Sequence, residues 1–460
     1  METNTMGNKK RTLILVVLAV TMAFGALPAI GSNAAKAEEA LQAESAQTLV
    51  AQESEHTHDA TTFLAWTDAN ALPTVAGSYY LDTDVTLAQT WETPGGATNI
   101  CLNGHKIIGD FDGADSGSVL KVIAGAELRL YDCTDEGALQ PAEKRTISYG
   151  VDVLGNGVLT LNNGTITGFE SGVWTDLQAG DEENKASFGK FVMNGGTIKG
   201  NSQRGVYVFS GTFEMNGGTI CQNGDSGDDG AGVYVNYSTF KMSGGEISNN
   251  TAKRDGGGVY LFRTTDLTMT GGVIKNNSAV GNGGGAYLNG STFTVSRGSI
   301  EGNQAGANGG GVYAINRFND THIGDLVLTG GSIVGNSAAN LGGGVFISNK
   351  SKMDLSGTAS VVGNEANGVA GNVYLDNALI TVTGKLADGA AIGVTRVSAD
   401  VAAEAATGAE TDKDAFTTGY KSTGNSVDPE TYFFSDDDKS SWAGPQTVRR
   451  RASSMPIPLR

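Results

Sequence analysis

Few side chains in this sequence stand at spacings that chemistry needs. The four histidines are His56, His58, His105 and His322. His322, with Asp320 and Asp325, is the densest titratable group and reads as a solvated loop rather than a proton-transfer centre. The cysteines are Cys101, Cys133 and Cys221, with no CxxC and no Cys/His spacing of a zinc site. Cys101 and Cys133, 32 residues apart, are a candidate disulfide or two free buried thiols; both readings stay open. Asp229, Asp255, Asn282 and Asn308 stand just before the Gly-Ala-Gly or Gly-Gly-Gly of successive repeats and could hold a cation, but a polar turn ladder is the simpler reading. Arg204, Arg254, Arg263 and Arg317 fall in no common repeat position. The glycine triplets have no Lys-Ser/Thr after them, so they do not read as phosphate loops. No catalytic residue, metal or cofactor is assigned.

One series of residues suits binding. Trp174, Tyr207, Tyr234, Tyr260, Tyr287, Tyr313, Phe346 and Tyr374 recur along the chain, with central steps of 27, 26, 27 and 26. Each sits between small or aliphatic residues, as Tyr207 does between Val206 and Val208. Alternation in a strand sends only one of these sets to the core, and the aliphatic set fits it better. The aromatics then form an outward row about 34 Å long at ~4.8 Å per step. Such a row can stack sugar rings or anchor a protein partner. It can equally stack on itself and stabilise its sheet.

The elements that would position this row come from a repeat. FVMNGGTIKGN, FEMNGGTICQN, FKMSGGEISNN, LTMTGGVIKNN, FTVSRGSIEGN and LVLTGGSIVGN align without gaps. Ile220, Ile247, Ile274 and Ile300 step by 27, 27 and 26. Phe213-Glu214-Met215 alternates as a one-face-buried strand does, Asn216-Gly217-Gly218 is a turn, Ile220 opens a second strand, and Val233-Tyr234-Val235 is a third. Three short strands per ~27-residue coil predict an all-β, single-stranded parallel β-helix. Equivalent residues then stack as ladders, including an asparagine ladder from Asn201 to Asn364. On the outside, Glu214 is expected beside Lys241, and Lys275 beside Glu301.

Composition agrees with an exported solenoid. The 460 residues include 67 Gly and carry a net charge of −18. That charge, with no basic run in the folded part, argues against nucleic acid as a partner. Lys9-Lys10-Arg11, the apolar run 12–30 and Ala35-Lys36-Ala37 read as a signal peptide over residues 1–37, with Glu38 starting the mature chain. No later segment is apolar enough to span a bilayer. Residues 38–60 read as a linker, 61–150 as an N-terminal cap and first coils, 151–384 as the repetitive β-helix, and 385–440 as a C-terminal cap. Residues 441–460 read as a basic disordered tail or as a truncated or frameshifted end.

His56-Thr57-His58, WTDANALPTVAGSYYLDTDVTLAQTW, ICLNGHKIIGD, LRLYDC, AIGVT and YFFSDD span residues 56–438. Together these stretches resemble a family of bacterial secreted or cell-surface right-handed parallel β-helix repeat proteins with a pectate-lyase-like fold, often adhesin-like. The resemblance implies a right-handed solenoid capped at both ends. Together with the residues, it leads to the expectation of an exported, non-enzymatic, monomeric scaffold, secreted or cell-wall associated, that binds glycan or a surface protein. The alternative is a polysaccharide lyase or glycoside hydrolase of the pectin-lyase-like class. No sorting motif with an apolar tail is present to specify attachment.

Overall fold

The computed structural model describes residues 56–178, 187–263, 265–316, 324–348, 351–376, 378–387, 390–397, 406–407 and 416–417. The signal sequence, the basic tail, His322 with Asp320, Arg317 and most of the predicted C-terminal cap lie outside them. The chain divides into two units, Met1–Thr62 and Phe63–Arg460. The described part of the first is a two-stranded antiparallel hairpin, Thr57–His58 with Thr61–Thr62. This segment was expected to be linker as far as residue 60; the hairpin's backbone pairing gives it regular structure.

The second unit is all-β and almost wholly parallel, in register from coil to coil, as in a β-helix-like solenoid. Lys190–Met193 pairs with Thr212–Met215, Thr197–Lys199 with Thr219–Cys221, and Arg204–Phe209 with Val233–Asn236. These three ladders are called the first, second and third sheets below. The ladders extend well ahead of residue 151: Val85–Leu87 already pairs with Lys106–Gly109 in the second sheet. The three-strand coil is also incomplete as a description. From Thr251–Ala252 onward a two-residue fourth strand pairs with its neighbours, through Ser278–Ala279 to Glu365–Ala366.

The strands follow from the pattern of two. In Thr212–Met215, Phe213 and Met215 are fully buried while Glu214 is half-buried on the other face. Phe191, Phe213 and Phe240 stack with centroids 4.9 and 4.6 Å apart. Ile198, Ile220, Ile247, Ile274 and Ile300 are consecutive partners in the second sheet, all fully buried. Each contributes about 1.5–3 kcal/mol by burial. One continuous apolar cluster runs from Leu72 to Val394.

The turn after the second strand is held by asparagine. Asn223 Nδ2 donates to Asn250 Oδ1 at 2.9 Å and to the Ile198 carbonyl at 3.1 Å, and the Asn223 N–H donates to the same Oδ1 at 3.1 Å. The pattern repeats through Asn277, Asn303 and Asn336 to Asn364, where Asn372 Oδ1 is the last acceptor. These amides are buried, so each would cost several kcal/mol unsatisfied.

The glycine triplets divide the work of the next corner. In Gly309-Gly310-Gly311 the first has φ +67°, which favours glycine. A Cβ on Gly310 would lie 2.2 Å from the Ser337 carbonyl of the next coil, so only glycine lets the backbones approach this closely.

Candidate functional site

The third sheet turns Val206, Val208, Val259, Leu261, Val345 and Ile347 to the core, all fully buried. The aromatics between them therefore point away from it, and they are consecutive cross-strand partners from Trp174 to Tyr374. The row is not uniform. From Tyr234 to Tyr374 the rings lie nearly parallel with centroids 4.8–5.1 Å apart. Trp174 meets Tyr207 edge-on at 4.0 Å, and Tyr207 meets Tyr234 edge-on at 4.9 Å.

Exposure changes along the row in the same way. Tyr260, Tyr287, Tyr313 and Phe346 are buried at 6, 0, 8 and 6% exposure and form a small core of their own. The triplet turn lies against them: a Cβ on Gly256 would touch Tyr260 Cβ at 2.9 Å, and one on Gly309 would touch Tyr313 Cβ at 2.7 Å. Contact with a large ligand is thereby left to the half-buried members, Trp174, Tyr207 and Tyr234 at one end and Tyr374 at the other. The Arg204 guanidinium lies 5.3 Å from the Tyr207 ring centroid and 4.9 Å from that of Tyr234, and its Nε donates to the Asp229 carbonyl.

Ahead of Trp174 the same outward column changes from aromatic to charged. Trp174 pairs with Asp152, Asp152 with Lys121, and Lys121 with Glu92. Lys121 Nζ lies 3.5 Å from Glu92 Oε1. Asp176, two residues beyond Trp174 on its strand, shares this face, and the Tyr149 ring packs on Trp174 at 4.6 Å. Burial pushes the Asp152 carboxyl up to about 6; Lys121 opposes the rise and Asp176 adds to it. Its Oδ1 is shielded from solvent and accepts no hydrogen bond. A carboxyl that keeps its proton to near-neutral pH can act as an acid.

No protein-family model, curated protein or solved structure matches this chain.

Sequence reasoning missed Asp152, Lys121, Glu92 and Asp176. A signal was present: Val151-Asp152-Val153 and Leu120-Lys121-Val122 carry the aliphatic flanks of Val206-Tyr207-Val208. The intervals of 31 and 22 residues around Asp152 break the ~27-residue period and concealed the match.

The other candidates are engaged elsewhere. Arg254 Nε donates to Asp229 Oδ1 at 2.9 Å, and its Nη2 also contacts that carboxylate. Asn282 Nδ2 donates to Asp255 Oδ1 at 3.0 Å, and Asn308 Nδ2 to Asn282 Oδ1 at 3.1 Å, making a second polar ladder. Arg263 donates to the Tyr237 hydroxyl. Lys352 approaches Asp325 at 3.6 Å. Glu214 accepts from Lys190 at 2.8 Å and has Lys241 at 3.7 Å. Lys275 has Glu301 as its cross-strand partner, as expected, and its ammonium pairs with Glu246 of the preceding coil at 2.8 Å.

Two pairs could ligate a soft metal. In the first unit, the Nε2 atoms of His56 and His58 are 3.1 Å apart. In the second, the sulfurs of Cys101 and Cys133 are 3.5 Å apart and not joined by a disulfide. Burial and the neighbouring Cys133 push the Cys101 thiol up, which disfavours a thiolate. Among the described residues, no helix is long and apolar enough to cross a membrane.

Proposed function

We propose that this chain is an exported, monomeric scaffold that binds polysaccharide through the outward face of its third sheet. The observation that carries the reading is the gradient along the aromatic row. Its central rings are sealed under turn backbone, while Trp174, Tyr207 and Tyr234 keep half-exposed faces with Arg204 over two of them. Large rigid rings with polar edges stack on sugar rings, and a guanidinium beside them adds hydrogen-bond donors. Export rests on the apolar run 12–30 behind Lys9-Lys10-Arg11. Association with the cell wall fits a rigid solenoid with a linear binding face.

The test is a glycan array probed with the mature chain and with a Trp174→Thr, Tyr207→Thr, Tyr234→Thr triple variant. Binding is expected to fall at least tenfold in the variant at unchanged circular dichroism. Undiminished binding by the folded variant would sink this reading and move attention to the segment Leu177–Ala186, most of which lies outside the described residues. A second reading, cleavage of the bound polysaccharide, is favoured by one observation, the carboxyl of Asp152 next to Trp174 in the same column.

A further inference from the structure

We propose that Asp152 and Asp176 are the acid and base of a glycoside-hydrolysing site at the half-exposed end of the aromatic row, acting on an uncharged sugar polymer held against Trp174 and Tyr207. This rests on the glycan-binding reading above and adds a reaction to it.

Register places the groups. Asp152 and Trp174 are direct partners on adjacent parallel strands, and Asp176 follows Trp174 by two residues, on the same face. Val151, Val153, Val173 and Thr175 fill the inward positions, fully buried. The strands cannot slip by one residue without turning these four to solvent. One strand spacing and two residues along the strand put the Asp152 and Asp176 Cα atoms about 8 Å apart, which leaves room for a water between two carboxyl groups.

Asp152 is half-buried, with Oδ1 shielded and without a hydrogen bond, which favours the protonated form. The charged groups facing it are Lys121 on one side, itself paired with Glu92, and Asp176 on the other. An enclosed carboxyl that keeps its proton suits the acid role, and a second carboxyl group on the same face can take the base role. The substrate class follows from the same charges. Asp176 and Glu92 would repel a polyuronate, and the ammonium of Lys121 is partly neutralised by Glu92. A neutral polymer stacked on the rings meets no such penalty.

The step balances as a hydrolysis. Asp152 gives its proton to the glycosidic oxygen as the bond from that oxygen to the anomeric carbon breaks. Asp176 takes a proton from water as the water oxygen bonds to the anomeric carbon. One water is consumed and two sugar hydroxyl ends form; Asp176 then releases its proton to solvent and Asp152 takes one up, which restores both groups.

The experiment uses the mature chain, Asp152→Asn and Asp176→Asn on soluble β-glucan, xylan, galactomannan and chitin oligomers, with polygalacturonate as the charged control. Reducing ends and binding are both measured from pH 4 to 8. The expected result is release from at least one neutral polymer, falling as pH rises through about 6, with kcat at least 100-fold lower in Asp152→Asn and KM changed less than threefold. Turnover that survives Asp152→Asn overturns the assignment. Binding without turnover on every polymer overturns the hydrolysis but leaves the glycan-binding reading standing. Absence of both binding and turnover overturns the two together.

Discussion

Asn250 receives two hydrogen bonds at its Oδ1 from Asn223, one from the side-chain amide at 2.9 Å and one from the backbone N–H at 3.1 Å. Its own Nδ2 donates to Asn277 Oδ1 at 2.9 Å and to the Ile220 carbonyl at 3.0 Å. All of these atoms are in the dry interior of the turn. Asn250→Ala strips partners from both neighbouring coils and is expected to cost about 2–4 kcal/mol in denaturant unfolding. Asn250→Asp keeps the acceptor but aims a carboxylate at Asn277 Oδ1, so its loss should be larger at pH 7 than at pH 4. Equal stability of Asn250→Ala and the parent chain would show that the ladder is ornamental.

A contrast between two glycines tests the close approach of the coils. A Cβ on Gly310 would stand 2.2 Å from the Ser337 carbonyl and 2.4 Å from that of Gly343, whereas one on Gly95 meets nothing within 4 Å. Gly310→Ala should destabilise by about 1–3 kcal/mol, since the backbone of the next coil must move. Gly95→Ala should lie within about 0.5 kcal/mol of the parent. Urea midpoints measured side by side decide it, and a similar shift for both would refute the proposed packing.

Asp152 makes stability depend on pH with a definite sign. Its folded value of about 6 exceeds the 3.8 of an unperturbed aspartate, so the folded chain holds this proton more tightly than the unfolded chain. The associated stability is present below about pH 4 and is lost as pH rises through about 6. Asp152→Asn cannot ionise, so its stability relative to the parent should rise between pH 4 and 7 by at most about 3 kcal/mol. Parallel pH profiles for the two proteins would contradict the enclosed carboxyl.

Cys101 and Cys133 are positioned to join. Their sulfurs are 3.5 Å apart, and Tyr131, two residues before Cys133, is the strand partner of Cys101. Under the oxidising conditions that the proposed export would supply, the bond is expected to form, lowering the alkylatable thiols of the denatured chain from three to one. Reduction should then destabilise by about 3–4 kcal/mol, from the loop released in the unfolded chain. Three alkylated cysteines in protein secreted without reductant would show that the pair stays open.

The repeating part of the fold was legible because its causes are local and recur. In the central coils an isoleucine every 26 or 27 residues, an asparagine three positions later and a glycine turn before each isoleucine specify coils that superpose, whatever the loops do. The direction of the aromatic row was legible for the same reason, since strand alternation with valine neighbours decides it. What lies over the rings was not. The triplet turn at Gly256 covers Tyr260 only because the backbone folds back across the strand that follows it, a contact no period reports. Nor was the charged end of the column legible from the repeat. Its coils differ in length, so Lys121, Asp152 and Trp174 share a position through hydrogen-bonded register alone. Residue types and their spacing determined the ladders. The enclosure that buries Tyr287 came from the turn at Gly283 folded against it and from the Tyr260 and Tyr313 rings of adjacent coils, and the rise of the Asp152 carboxyl came from its burial, because desolvation depends on which atoms surround a group and not on where it stands in the chain.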